Sequence, residues 1–298
     1  MSQSRDALCS VRDLIRYGVS RFNETKLFFG HGSDNAWDEA VYLVLFALHL
    51  PPDQLEPFMD ARVLPAERER ALSLIDLRCE QRLPAPYLTH EAWLQGYRFH
   101  VDQRVIVPRS PIAELLMNHL SPWIGDPYEV TGILDLCTGS GCLAIIAAHQ
   151  FPEAFVDATE LSRDALDVAA INVTQHGLDD RLNLHQGSLY DPLPVAARYD
   201  LIISNPPYVN TVSMGKLPAE YRHEPRLALA GGDDGMDIVR TIIEQAPAHL
   251  SEEGWLVIEI GHERAFFEAA FPELEPVWLD TAEASDQILL LSRGQLQS

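Results

Sequence analysis

The apolar positions change rhythm along the chain. Up to about residue 83 they recur at three- and four-residue steps, and Val11, Leu14, Ile15, Val19 and Phe22 mark one face of a first helix. Asn35 is placed to cap a second helix, which runs through Trp37-Asp38-Glu39-Ala40 into the apolar stretch 41–50. Pro65, suited to a first helical turn, opens a third that carries Leu72, Ile75 and Leu77 among charges. From Tyr87 to Val107 the texture becomes that of strands. Trp93, Tyr97, Phe99, Val101, Val105 and Val107 are β-formers, and Gln95-Gly96 and Asp102-Gln103 supply turns, which predicts a hairpin. Pro108-Arg109-Ser110-Pro111 closes it and leads into a helix through Ile112, Leu115, Leu116 and Leu120.

Beyond Gly132, strand-like and helix-like runs alternate. Buried strands are expected at 133–137, 154–160, 182–186, 200–204 and 256–260, with helices at 143–149 and 164–176. Such alternation demands right-handed crossovers and gives an α/β fold with a doubly wound, mostly parallel sheet. Segments 277–279 and 288–291 predict an antiparallel pair at its edge. The expected organisation is a helical domain over 1–84, a β-hairpin linker over 85–108 and the α/β domain over 109–298. Ligands of such sheets sit at the carboxyl ends of the strands, so motifs there carry functional weight.

Composition narrows the classes. Of 298 residues, 47% are hydrophobic, which provides a core and excludes global disorder. The net charge of −22 is concentrated: residues 1–100 carry 11 basic and 14 acidic side chains, residues 101–298 carry 11 and 30. A field of that sign repels a phosphate backbone and attracts basic proteins. The four cysteines (Cys9, Cys79, Cys137, Cys142) form no CxxC pair and stand near no histidine at ligand spacing, so free, buried thiols in a reducing cytosol are expected, with no metal site. Residues 1–19 lack the basic-then-apolar order of a signal peptide, and the stretch 41–50 is far below the ~20 residues of a membrane span. A soluble, cytoplasmic protein without membrane contact is expected.

Three motifs carry chemistry. Asp135-Leu136-Cys137-Thr138-Gly139-Ser140-Gly141-Cys142 lies at the first strand-to-helix turn, where two glycines let the backbone approach a ligand. Gly139, Gly141 and Ala144 also fit G-x-G-x-x-A, the dinucleotide fingerprint. Asp135, four residues before the first glycine, suits an ammonium better than a pyrophosphate, and S-adenosylmethionine offers one. Glu160, ending the second strand, is placed to accept hydrogen bonds from ribose hydroxyls. The fourth strand runs into Asn205-Pro206-Pro207-Tyr208. Two prolines stiffen that loop and leave carbonyls free, and Asn205 adds a side-chain acceptor. Together they present two acceptors to a planar –NH2 group, with Tyr208 available to pack on its face.

These motifs resemble class I S-adenosylmethionine-dependent methyltransferases that act on NH2 groups. Val107-Pro-Arg-Ser-Pro-Ile112, Tyr221-Arg-His-Glu-Pro-Arg-Leu-Ala-Leu-Ala230 with Gly231, Gly232 and Gly235, and Glu259-Ile260-Gly261 narrow the resemblance to HemK-like protein-(glutamine) methyltransferases, over essentially the whole chain. The resemblance implies a seven-stranded, mostly parallel sheet preceded by a small helical substrate-recognition domain. It implies that Asp135, Cys137, Thr138, Gly139, Ser140, Gly141, Glu160, Ser188, Leu189 and Asn205 bind S-adenosylmethionine, and that Asn205, Pro206, Pro207 and Tyr208 form the catalytic loop. Where the family usually has an acid before a large apolar residue after the third strand, this chain has Ser188-Leu189, which makes the adenine contact differ.

One branch modifies peptide release factors and usually reads Pro-Arg-Pro-x-Thr-Glu. The other modifies a glutamine of large-subunit ribosomal protein L-three. Pro108-Arg109-Ser110-Pro111-Ile112 and the run Phe29-Gly-His-Gly-Ser-Asp-Asn-Ala-Trp-Asp-Glu-Ala40 resemble the second. The expected activity is therefore methylation of a ribosomal-protein glutamine. A release-factor methyltransferase, a nucleic-acid amine methyltransferase and a non-catalytic ribosome assembly factor are the alternatives, with an NAD-dependent dehydrogenase more distant.

Overall fold

The helices of the N-terminal part start where local chemistry can satisfy their free amides. The computed structural model describes residues 5–297; residues 1–4, which open the run read as lacking a signal peptide, and residue 298 lie outside it. Helix Val11–Thr25 begins with a reciprocal box: the Ser10 hydroxyl accepts from the Asp13 amide, and the Asp13 carboxylate accepts from the Ser10 amide. Helix Ala36–Ala47 is capped by the Asn35 side-chain oxygen, which accepts from Trp37 and Asp38. Helix Pro65–Gln81 opens on its proline. These three, with the short helix Ala85–Thr89, bury Leu14, Ile15, Phe22, Leu43 and Ile75 in one apolar core. This helical unit reaches Glu91 and also includes Pro218–His223.

A charged group is buried within the unit. The fully buried Arg78 donates to Glu39 at 2.7 Å and to the Phe28 carbonyl at 2.9 Å. Glu220 accepts from the Phe28 amide at 3.0 Å and pairs with Arg82 at 2.9 Å. Burial pushes the Glu39 carboxyl above its ordinary range, and the Arg78 charge pulls it back. Truncating one member of a buried pair strands the other, so Arg78→Ala should cost about 3–5 kcal/mol in equilibrium denaturation of the full chain. Arg12→Ala, which breaks the solvent-exposed pair with Asp60, should cost under about 1 kcal/mol. Equal losses from the two variants would contradict this assignment.

The second unit comprises Ala92–Leu217 and the chain from Glu224 onward. Strands β1 (Glu91–Leu94) and β2 (Tyr97–His100) form a hairpin whose turn residues, Gln95 and Gly96, both have positive φ, as a tight primed turn requires. The hairpin expected to reach Val107 stops at His100. Val101, Val105 and Val107 are buried, but in irregular chain, because β-branched side chains fill a core whether or not their backbone is paired. Residues 85–108, expected as one linker, therefore divide into a helix in the first unit and a hairpin with a buried loop in the second.

The large sheet contains β3 (Gly132–Leu136), β4 (Phe155–Glu160), β5 (Leu182–Gln186), β6 (Tyr199–Ser204), β7 (Leu250–Glu259), β8 (Val277–Leu279) and β9 (Ile288–Ser292). Its order is β5-β4-β3-β6-β7-β9-β8. The first five neighbours are parallel, β9 runs antiparallel to β7, and β8 closes the edge antiparallel to β9. Helix Asp237–His249, which the apolar pattern left unassigned, packs Val239, Ile242 and Ile243 into the core beside β7. The strand order reverses between β3 and β6. Register sets Leu136 beside both Thr159 and Ser204, and Ser204 beside Ile258, so the loops after β3, β4, β6 and β7 emerge at one edge. That edge is the switch point where a doubly wound sheet leaves a crevice. Among the described residues no helix is long and apolar enough to cross a membrane.

Candidate active site

A cavity of about 360 Å³ opens at this edge, within the size range of small-ligand sites. Its lining includes Asp135, Cys137, Thr138, Gly139, Ser140, Glu160, Ser188, Leu189, Asn205 and Pro207. Gly141, Pro206 and Tyr208 are not among its lining residues, and each is the chain neighbour of one that is. Gly141 caps helix Cys142–Gln150 in the left-handed conformation, where an added Cβ would meet Ala169 at 3.4 Å. Cys137 and Leu189 also adopt positive φ, a strained state for such side chains that costs of order 1–3 kcal/mol each. Both line the cavity.

The electrostatics centre on Asp135. One carboxylate oxygen accepts from the Thr138 hydroxyl at 2.5 Å and the Ala144 amide at 3.2 Å. The other is buried and has no hydrogen-bond partner among the described residues. Burial pushes the carboxyl up to about 7 despite those two donors. A buried acid with one unanswered oxygen is a socket for a cation. Glu160 accepts from the Gly139 amide at 3.0 Å and the Ser162 amide at 2.8 Å, tying the end of β4 to the glycine turn. Each of its oxygens retains a lone pair for a ligand hydroxyl. Desolvation holds the Cys137 thiol well above its ordinary range and pushes Cys142 up to about 12, so neither is a nucleophile at neutral pH. All four cysteines are free; Cys79 is buried as a residue, Cys9, Cys137 and Cys142 are partly accessible as residues, and the thiols of Cys137 and Cys142 are nonetheless desolvated.

The loop after β6 is fixed from several sides. The Ser204 hydroxyl donates to the Leu136 carbonyl at 2.8 Å, locking β6 to β3 just before Asn205. A Cβ on Gly231 would lie 2.7 Å from the Pro207 carbonyl, and one on Gly235 would collide with the Tyr208 carbonyl. The Tyr208 hydroxyl donates to Glu259 at 2.8 Å, and the Ser110 hydroxyl reaches the other oxygen of that carboxylate at 2.5 Å. Burial raises the Glu259 carboxyl, while both hydroxyls and the Arg109 charge lower it. Arg109 makes a two-pronged pair with Glu224 at 2.6 and 2.8 Å, and Glu224 also accepts from the Val107 amide. Those two residues brace loops.

A protein of Bordetella pertussis named ribosomal protein uL3 glutamine methyltransferase is 67% identical over 297 residues, covering 100% of this chain and 99% of the relative. The chain belongs to this methyltransferase family. Relatives of the same name from Burkholderia pseudomallei and Neisseria gonorrhoeae are 58% and 52% identical, each covering 99% of this chain and 98% of theirs. The methyltransferase small domain family matches residues 111–217, which span β3 to β6 and the Asn205–Tyr208 loop. The solved hMettl16 catalytic domain, in complex with the MAT2A 3′UTR hairpin 6, aligns with a TM-score of 0.52 at 16% identity, covering 78% of this chain and 84% of that one. That likeness concerns the class I methyltransferase fold alone.

Within this methyltransferase, motif reading missed one wall of the cavity. Gln103, Arg104 and Ile106 from the buried loop, Leu161 beside Glu160, and Leu227 and Ala228 all line it. Leu161 has a positional signal, since it follows the strand-end acid Glu160. Gln103, Arg104 and Ile106 sit in irregular chain with no periodicity to read, whereas Leu227 and Ala228 lie in the short 3-10 helix Arg226–Ala228, inside the segment 221–230 that carries the resemblance. Among the described residues no group of three or more His, Cys, Asp or Glu side chains is placed to hold a metal ion.

Proposed function

We propose that this chain transfers a methyl group from S-adenosylmethionine to the side-chain amide nitrogen of a glutamine in ribosomal protein uL3. The observation that carries the reading is full-length similarity to relatives of that name, with Asn205 and Pro207 lining the same cavity as Asp135 and Glu160. The cavity fits the cofactor. The unanswered Asp135 oxygen suits the methionine ammonium, the turn Cys137–Thr138–Gly139–Ser140 the methionine portion, and Glu160 the ribose hydroxyls. Ser188 and Leu189 would meet the adenine, Ser188 as a neutral acceptor and Leu189 as an apolar surface. When bound, S-adenosylmethionine supplies an electrophilic methyl.

On the acceptor side, the Asn205 side-chain oxygen and the Pro206 carbonyl accept the two N–H bonds of the glutamine amide, and Tyr208 packs beside its plane. Two held hydrogens turn the nitrogen toward the methyl. The nitrogen would gain the methyl as the methyl–sulfur bond breaks, with neutral S-adenosylhomocysteine as the leaving group and one proton passing to bulk solvent. An amide nitrogen is weakly basic, so positioning and exclusion of water carry the acceleration and no strong base is needed. The acidic domain attracts a basic ribosomal protein in the cytoplasm before RNA covers it, and the helical unit helps select it.

Asp135 makes cofactor affinity depend on pH. Its carboxyl, near 7 in the free protein, must be ionised to pair with an ammonium, so below that point binding releases a proton. S-adenosylhomocysteine affinity should rise about tenfold per pH unit from pH ~5.5 to ~7 and level off above, and Asp135→Asn should flatten the profile. Calorimetric titration reads both; a flat wild-type curve would contradict the role of Asp135. The substrate is tested by incubating labelled cofactor with purified uL3, a release factor and ribosomal RNA side by side. Label is expected on uL3 alone. Label on the release factor alone would replace this reading with the runner-up, and binding of uL3 without transfer would favour an assembly factor.

A further inference from the structure

Tyr208 is the one member of the Asn205–Tyr208 loop whose side chain is held at its far end. Its hydroxyl donates to Glu259, a fully buried carboxylate at the carboxyl end of β7, at 2.8 Å. The second oxygen of Glu259 is taken by the Ser110 hydroxyl at 2.5 Å. Ser110 is itself buried, and its hydroxyl also accepts from the Ile112 amide, which fixes it to the start of helix Ile112–Met117. The ring edge is gripped as well: a Cβ on Gly261 would lie 2.5 Å from it. Residues 110, 208 and 259 are remote in sequence. A buried acid that answers two hydroxyls is costly unless both bonds are kept, which makes the arrangement a geometric lock.

We propose that Ser110 and Glu259 are positioning residues for methyl transfer, acting through Tyr208: they fix the tilt of its ring and so the width of the slot that orients the acceptor amide. The inference rests on the reading of Asn205–Tyr208 as the acceptor loop. Neither residue holds the cofactor's ammonium or ribose partners, Asp135 and Glu160. Loosening the lock therefore changes how well a bound amide is aligned while cofactor affinity stays constant.

The test is a double-mutant cycle in the full chain, with kcat, KM for uL3 and S-adenosylhomocysteine affinity measured for each variant. Tyr208→Phe and Glu259→Leu should each lower kcat about tenfold, and Ser110→Ala about fivefold, with cofactor affinity within about twofold of wild type. In a Tyr208→Phe background, Ser110→Ala and Glu259→Leu should cause no further loss, because the hydroxyl through which they act is gone. Ser110→Thr, which keeps the hydroxyl, should restore wild-type kcat. Losses that multiply in the double variants, or a folded Ser110→Ala protein with wild-type kcat, would overturn the proposal. If Glu259→Leu fails to fold, the Ser110 and Tyr208 arms decide alone. Asn205→Ala run in parallel separates the two readings. Activity surviving in that variant would sink the acceptor loop itself, whereas a dead Asn205→Ala beside an unaffected Ser110→Ala would sink only the lock.

Discussion

Asn205→Ala should reduce methyl transfer to uL3 by about a thousandfold or more while S-adenosylhomocysteine still binds within about threefold of wild type. The size follows from the role proposed for the residue. Methylating an amide needs a weakly nucleophilic nitrogen held in line with the methyl, and that alignment is most of what the protein supplies. Asn205 stands at the first position after β6, with Ser204 locked to Leu136 beside it and two prolines immediately after, so its amide has little freedom to lose. In the proposed geometry its removal leaves one acceptor, the Pro206 carbonyl, for two N–H bonds, and the acceptor amide can then rotate. The proposed cofactor partners Asp135 and Glu160 lie on β3 and β4 and are untouched. Binding and turnover should therefore separate cleanly. A variant that lost both together would point to a collapsed loop, and one that kept turnover would end the mechanism.

Gly235→Ala should be nearly as damaging, by a different route. Gly235 has φ +82, where alanine is disfavoured by about 1 kcal/mol, and its new methyl would run into the Tyr208 carbonyl. Backbone cannot swing aside as a long side chain can, so the Pro207–Tyr208 segment must shift. A displacement near 1 Å at a site that works by alignment costs on the order of a hundredfold in turnover. Gly177→Ala is the control: its φ is +66, but nothing lies within 4 Å of the added carbon. It should lose about 1 kcal/mol of stability and no activity. Equal turnover in the two variants would show that the loop does not depend on its glycine packing.

The parts of this molecule that could be read from sequence are those specified by neighbours in the chain. Asn35 and Pro65 announce helices through local capping chemistry, and strands at 182–186 and 277–279 coincide with those observed. The glycine turn and the Asn205–Tyr208 loop were legible because each is a short run at a strand end. What escaped was specified at long range. Ser110 and Glu259 meet across 149 positions, and Arg78 finds Glu39 and Glu220 from three separate segments. Val101, Val105 and Val107 read as a strand because burial and pairing favour the same side chains, and only the fold decides which of the two applies. Residues 218–223 return to the helical unit with no change of composition to announce it. Asp135 is legible from its position in a motif. Its unanswered oxygen and its raised carboxyl depend on burial, which spacing alone cannot give.

Tandem mass spectrometry of uL3 after incubation with the wild-type chain and isotope-labelled S-adenosylmethionine tests the central claim most directly. The account predicts one labelled methyl on the side-chain nitrogen of a single glutamine, and none when Asn205→Ala replaces the wild type. A label on a lysine, an arginine or a carboxylate oxygen, or unmodified uL3 beside a labelled release factor, would contradict it.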